Sequence, residues 1–180
     1  MSTSDCPSAN DSGFLAALDK ARKGASEGGI PVGACLVSKN GEILGKGRNM
    51  RVQKGSATLH VRDLLINNSS SSVLRYSDPG NVADPLYAYQ QGETSALENS
   101  GRLPASAYEG ATMYATLSPC DMCTGACLLY KVKRVVIGEN ETFMGGEDYL
   151  KKRGVEVVVL DNNECKQLMR EFIEKNPDLW

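Results

Sequence analysis

Apolar residues recur along this chain at two spacings, one typical of helices and one typical of short strands. The spacing over residues 14–25 predicts an amphipathic helix, with apolar side chains at Phe14, Ala17, Leu18, Ala21 and Ala25. Asp11 or Ser12 can cap its start, and Gly28–Gly29 should end it. Residues 32–37 and 43–48 then form two strand-like segments around Asn40–Gly41, a strong two-residue hairpin signal.

The second half of the chain alternates between strand-like and helix-like segments. We predict strands at 112–117, 134–138 and 155–160, the last of them buried. Helices are predicted at 120–130, where Cys123, Cys127 and Tyr130 share one stripe, at 147–152, and around Leu168–Ile173. Because strands alternate with helices, the pattern predicts an α/β fold whose sheet is largely parallel and covered by helices on both faces.

Size and charge narrow the class of protein. The chain has 180 residues, the length of one domain, and 41% of them are hydrophobic. A net charge of −2 argues against a dedicated nucleic-acid binder, and no apolar run is long enough to span a membrane. The N-terminus lacks the features of a signal peptide. We therefore expect a cytoplasmic protein without membrane or nucleic-acid partners, and its entry into the nucleus is left open.

One segment breaks the pattern of its neighbours. Residues 61–91 have no periodicity and contain four consecutive serines, Ser69–Ser72. A structureless stretch of this length is uncommon inside a compact domain. We expect a single domain over residues 1–180 that is interrupted by a polar insertion without ordered structure.

The sharpest chemical signal is the run Ser118–Pro119–Cys120–Asp121–Met122–Cys123 between a predicted strand and a predicted helix. The spacing places two sulfurs on one helical turn, where they can share a zinc ion. A redox dithiol, an iron–sulfur site that also uses Cys127, and ordinary core thiols remain alternatives. If zinc binds, the third ligand would be His60, which is the chain's one imidazole. Three protein ligands would leave a position open for water, as in catalytic zinc sites.

Removing residues 61–91 would join His60 directly to Gly92–Glu93, about 26 residues before Pro119. The joined sequence has the pattern H-x-E…P-C-x-x-C, the signature of zinc-dependent deaminases. The surrounding segments G-R-N-M-R-V-Q-K-G-S-A-T-L-H, T-L-S-P-C-D-M-C-T-G-A and V-I-G-E-N are similar to those of fungal cytosine deaminases. The chain thus resembles the cytidine/deoxycytidylate deaminase superfamily over almost its whole length outside the insertion.

The resemblance implies a role for each matching residue. His60, Cys120 and Cys123 would bind zinc, and Glu93 would carry protons between water, ring and leaving amine. Asn49 and the backbone of Gly92 would hold the pyrimidine edge. Phe143 and Trp180 resemble an aromatic lid.

The resemblance also implies a fold and an activity. The expected fold is a three-layer αβα sandwich with a mixed central sheet, assembled as a homodimer. The expected reaction is zinc-dependent hydrolytic deamination of cytosine to uracil and ammonia, in pyrimidine salvage. The alternatives are a tRNA adenosine deaminase of the same superfamily and a zinc-binding product impaired by the insertion.

Two departures from the family pattern bear on activity. The insertion separates His60 from Gly92, and we interpret residues 61–91 as a translated intron, which the cDNA sequence across codons 60–92 would test. The family's acidic tail, which helps to read the substrate amino group, does not follow Trp180.

Overall fold

The computed structural model describes residues 6–54, 92–101 and 103–180. The predicted ligand His60 and the insertion 61–91 lie outside the described residues. The helices are α1 Ser12–Ser26, α2 Arg51–Lys54, α3 Gly92–Asn99, α4 Ala105–Tyr108, α5 Asp121–Leu129, α6 Glu147–Lys152 and α7 Asn163–Lys175, followed by a 3₁₀ helix at Pro177–Leu179. The strands are β1 Gly33–Val37, β2 Ile43–Arg48, β3 Thr112–Leu117, β4 Arg134–Glu139 and β5 Glu156–Val159. In the part of the chain that is described, no helix is both long and apolar enough to cross a membrane.

The five strands form one mixed sheet in the order β2-β1-β3-β4-β5. Strand β1 pairs antiparallel with both β2 and β3, whereas β3, β4 and β5 run parallel. The prediction of a largely parallel sheet therefore holds for the second half of the chain only, because β1 and β2 form a hairpin. The mixed sheet implied by the resemblance is confirmed.

Helices cover both faces of this sheet. Helices α1 and α7 pack on one face, and α3, α5 and α6 pack on the other. Side chains alternate along β1 accordingly, since Ala34 and Leu36 enter the core beneath α3 and α5, while Cys35 and Val37 enter the core beneath α1. The result is the expected three-layer αβα sandwich.

Three local predictions were wrong in detail. The hairpin turn is longer than two residues, since β1 ends at Val37 and β2 begins at Ile43. Within the loop over residues 38–42, Gly41 adopts φ +86° and its N–H donates to the carbonyl of Ser38. The Asp11 side chain makes no capping bond to α1 and instead accepts hydrogen bonds from Ser8 and Tyr114. Strand β5 is only partly buried, because it forms an edge of the sheet.

Glycines in β2 allow helix α3 to lie directly on the strand. A Cβ at Gly45 would come within 2.0 Å of the carbonyl oxygen of Ala96, and one at Gly47 within 2.7 Å of the carbonyl oxygen of Gly92. Only hydrogen at these positions permits such a close approach between helix backbone and strand. This contact fixes the height of α3, and hence of Glu93, above the sheet.

We predict that Gly45→Ala destabilises the protein by about 2 kcal/mol or more, since the new methyl group meets backbone rather than a movable side chain. Lys46→Ala, at the exposed neighbouring position, is the matched control and should change stability by less than about 0.5 kcal/mol. Denaturant unfolding of both variants measures the difference. Equal unfolding midpoints for Gly45→Ala and the unmodified protein would contradict this account of the α3–β2 contact.

Candidate active site

The C-terminal ends of β2, β3 and β4 lie side by side at one end of the sheet. The parallel strands β3 and β4 both end there, and the antiparallel pairing of β1 and β2 brings the end of β2 to the same edge. Helices α3 and α5 begin at this edge. A cavity of about 210 Å³ opens here, lined by Ile30, Val32, Asn49, Arg51, Gly92, Glu93, Leu117, Ser118, Cys120, Phe143 and Trp180. Its volume lies below the roughly 300–1,000 Å³ typical of drug-sized ligand sites, which suits a small substrate.

The two cysteines of the C-x-x-C motif lie at the start of α5. Cys120 directly precedes the helix with an extended backbone (φ −66°, ψ 174°), and its side chain makes no capping bond. Cys123 lies one turn further on and is fully buried. Burial raises the pKa of the Cys123 thiol well above its usual value, and hydrogen bonding to Cys120 and the charge of Glu93 raise it further.

Glu93 is the second residue of α3 and is 3% exposed. Burial raises the pKa of its carboxyl group to about 7, although a hydrogen bond with Cys123 acts in the opposite direction. The charge of Cys120 contributes to the rise. A buried carboxyl group at the wall of the cavity is placed to accept a proton and to return it, which is what general acid–base catalysis requires.

The donor set fits zinc. Cys120 and Cys123 offer two thiolate ligands on one turn, which is the arrangement that zinc prefers. Within residues 6–54, 92–101 and 103–180, no group of three or more His, Cys, Asp and Glu side chains could hold a metal ion. The third predicted ligand, His60, lies outside these ranges.

Cys127 belongs to the hydrophobic core. It is fully buried among Ala96, Val132 and Leu150, and burial is the main cause of its raised pKa. These surroundings favour a core thiol over a ligand of an iron–sulfur site. No disulfide joins any two of the cysteines that the structure describes.

Asn49 follows β2 and is 5% exposed. Its backbone N–H donates to the carbonyl of Val32 at 2.8 Å, and its Oδ1 accepts from the backbone N–H of Arg51 at 3.0 Å. Since Oδ1 is used within the protein, the amide Nδ2 is the group that Asn49 can offer to a ligand in the cavity. Gly92 begins α3 and lines the same cavity, where the backbone N–H groups of the first turn have no partner within the helix.

Phe143 and Trp180 lie together at the cavity. Their ring centroids are 6.4 Å apart and the rings are nearly perpendicular, at 86°. Both rings are about two-fifths exposed. The structure thus brings seven of the eight predicted site residues to one cavity or its immediate surroundings, and the eighth, His60, is not described.

Some of the cavity walls were not predicted from the sequence. Ile30, Val32 and Leu117 provide apolar surface, and Ser118 and Arg51 also line the cavity. Leu117 could have been placed at the cavity, because it ends the period-2 pattern of β3 and directly precedes the run Ser118–Cys123. No comparable signal in the sequence identifies Arg51.

Comparison with known proteins gives the same family at several levels. A family model described as "Cytidine and deoxycytidylate deaminase zinc-binding region" matches residues 8–139. A cytosine deaminase of Candida albicans is 46% identical over 168 residues, which cover 93% of this chain and 91% of that protein. A tRNA-specific adenosine deaminase of Haemophilus influenzae is 30% identical over 169 residues, covering 88% of this chain and 80% of that protein.

A solved structure of guanine deaminase from Nitrosomonas europaea shares the fold. It aligns with a TM-score of 0.57 at 17% identity, over 92% of this chain and 85% of that one. The family match extends from before α1 to the end of β4 and includes Glu93, Cys120 and Cys123. The chain belongs to the cytidine and deoxycytidylate deaminase zinc-binding family.

Proposed function

We propose that this chain is a zinc-dependent cytosine deaminase that converts cytosine to uracil and ammonia, a reaction of pyrimidine salvage. The observation that carries the proposal is the buried Glu93 carboxyl group, in hydrogen-bond contact with Cys123 at the wall of a small cavity. The similarity to the Candida albicans cytosine deaminase extends over 93% of the chain and supports this substrate.

Glu93 performs the proton transfers in this proposal. Zinc held by His60, Cys120 and Cys123 would supply activated water near neutral pH. Glu93 takes a proton from the water and delivers it to the ring nitrogen beside the reacting carbon. The water oxygen bonds to that carbon, and the bond from carbon to the exocyclic nitrogen then breaks. Glu93 then takes the second proton from the hydroxyl group now on that carbon and passes it to the departing nitrogen, which leaves as ammonia while the oxygen remains as the carbonyl of uracil.

The cavity orients a pyrimidine for this reaction. Asn49 can donate from Nδ2 to the ring carbonyl oxygen, and backbone N–H groups at the start of α3 offer further donors on that side. Val32 and Leu117 supply apolar walls for the ring. Phe143 and Trp180 line the cavity, so their rings can cover a free base. A base that is still attached to a nucleic acid needs an opening through which its sugar–phosphate backbone can leave the cavity, so this arrangement favours a free base.

Substrate choice tests the proposal directly. Ammonia release should be measured from free cytosine and, in parallel, from a tRNA anticodon stem-loop containing adenosine. We expect turnover of cytosine and none of the stem-loop. Deamination of the stem-loop without turnover of cytosine would instead identify a tRNA deaminase of the same family.

Glu93→Gln should abolish most of the turnover while it preserves zinc binding and the fold. The amide is nearly the same shape but cannot relay a proton, so we expect a loss on the order of 10²–10⁴-fold in kcat. Glu109→Gln, at an exposed carboxylate, is the control and should retain full activity. A Glu93→Gln protein that keeps one zinc per chain and the parent rate would show that another group transfers the proton.

Deleting residues 61–91 should raise cytosine deaminase activity sharply. In the family pattern His60 and Gly92 are bonded neighbours with Cα atoms about 3.8 Å apart. Two separate chain segments pack no closer than roughly 4.5–5.5 Å, so the insertion should displace His60 or Glu93 by about 1 Å. Misplacement of this size can cost on the order of 10²-fold in rate.

The comparison requires ammonia-release assays of the full chain and the deletion variant, each with and without an acidic tail after Trp180. Zinc content should differ less than turnover, because the His60 side chain can swing to keep its ligand bond. If the full chain matches the deletion variant within about twofold, the insertion is tolerated and this interpretation is wrong.

The protein also acts as a homodimer in this proposal. Met122 and Leu129 lie seven residues apart on α5, so they share one face of that helix, and both are exposed. Met144, three residues before α6, is also exposed. We place the interface at this face of α5, because burial of the Met122 and Leu129 side chains against a second chain would remove apolar surface from water. Sedimentation should give two chains per particle for the unmodified protein and one for Leu129→Glu; a dimeric Leu129→Glu would place the interface elsewhere.

A further inference from the structure

Two buried polar side chains outside the proposed chemistry connect the aromatic residues at the cavity to the turn that carries Cys120. We propose that Ser118 and Glu147 are positioning residues, which fasten residues 140–146, here called the lid loop, onto that turn and so hold Phe143 beside Trp180. The inference rests on the proposed function, because it assigns the lid loop a role in holding the substrate.

Ser118 forms the centre of the connection. It lies between β3 and Pro119 and is 3% exposed. Its Oγ donates to Oε1 of Glu147 at 2.8 Å and accepts from the backbone N–H of Gly145 at 3.0 Å. One hydroxyl group therefore joins the turn at Pro119, which carries Cys120, to the end of the lid loop.

Glu147 extends the connection to the start of the lid loop. It is the first residue of α6, is 4% exposed, and its Oε2 accepts from Nδ2 of Asn140 at 3.3 Å. The two oxygens of one carboxylate thus bind Ser118 on the turn and Asn140 on the loop. The loop is held at both ends, with Phe143 between them.

Backbone contacts leave little freedom for the lid loop to shift. The N–H of Gly146 donates to the carbonyl of Pro119 at 2.9 Å, and a Cβ at Gly145 would lie only 2.0 Å from that oxygen. A glycine is therefore required where the loop crosses the turn. Movement of the turn at Pro119 must be transmitted to the residues next to Phe143.

A second buried carboxylate fixes the other side of the lid loop. Glu139, at the end of β4, accepts hydrogen bonds from the backbone N–H groups of Glu141 at 2.7 Å and Thr142 at 3.0 Å, and from the Thr142 hydroxyl. This carboxylate determines the local shape of the loop, and the backbone carbonyl of Glu139 accepts from the N–H of Ser118 at 3.1 Å. Ser118 and Glu147 add a side-chain link between the loop and the turn.

Removing one partner of a buried hydrogen bond leaves the other unsatisfied, so the loop should loosen in Glu147→Ala and Ser118→Ala. Trp180 is the sole tryptophan of the chain, and its ring contacts Phe143, so its fluorescence reports on the lid loop. We expect acrylamide to quench Trp180 about twice as efficiently in both variants, and KM for cytosine to rise about tenfold, as the loss of one charged hydrogen bond implies. Changes in kcat should stay within about threefold, and zinc should remain at one per chain.

Two further variants separate positioning from general destabilisation. Glu147→Gln should restore most of the parent quenching and KM, because its oxygen still accepts from Ser118 and its amide can donate to a rotated Asn140. Asp148→Ala removes the adjacent carboxylate, which is exposed, and should leave both readouts unchanged.

Parent values of both quenching and KM in Glu147→Ala and Ser118→Ala would overturn the proposal. Loss of zinc in these variants would also overturn it, because the network would then support the metal-binding turn rather than the lid loop. A Glu147→Gln protein as impaired as Glu147→Ala would contradict positioning through hydrogen bonds. If the unmodified protein does not deaminate cytosine, the proposed function fails, and the Trp180 quenching still decides whether Ser118 and Glu147 hold the loop.

Discussion

Three groups that become anions on losing a proton, Glu93, Cys120 and Cys123, lie together where β2, β3 and β4 end, with Glu93 and Cys123 buried and Cys120 half-buried. Burial of so much potential charge is unfavourable, and it raises the pKa values of Glu93 and Cys123. A cation removes this conflict, since thiolates bind zinc and a nearby carboxylate then has a charged partner. The chain belongs to a zinc-binding family, so zinc is the cation expected beside these residues.

The fold brings these groups together through two kinds of strand pairing. Parallel pairing of β3 with β4 places the turn at Pro119 beside the lid loop, and the glycine-containing strand β2 lets α3 approach closely enough to present Glu93. The antiparallel hairpin returns Asn49 to the same edge. Each feature has a separate physical cause, yet all of them converge on one cavity.

Much of the fold and of the site could be predicted from the sequence. The strands over 43–48 and 112–117 and the helix over 147–152 match the structure in their bounds, because their apolar periodicity reflects burial directly. The edge position of β5 could not be predicted, since a valine-rich run looks the same in a central and an edge strand. The four-residue helix α4 is too short to have a period. The link between Ser118 and Glu147 spans 29 residues of sequence and depends on how the lid loop crosses the turn, which no local pattern encodes.

The central claim is that zinc is bound by two cysteines and one histidine with a position left open for water. X-ray absorption at the zinc edge of the purified full chain tests it most directly. The account predicts two sulfur neighbours at about 2.3 Å, with the remaining nitrogen and oxygen neighbours at about 2.0–2.1 Å. A shell of four sulfurs, a shell without sulfur, or protein that takes up no zinc would contradict it.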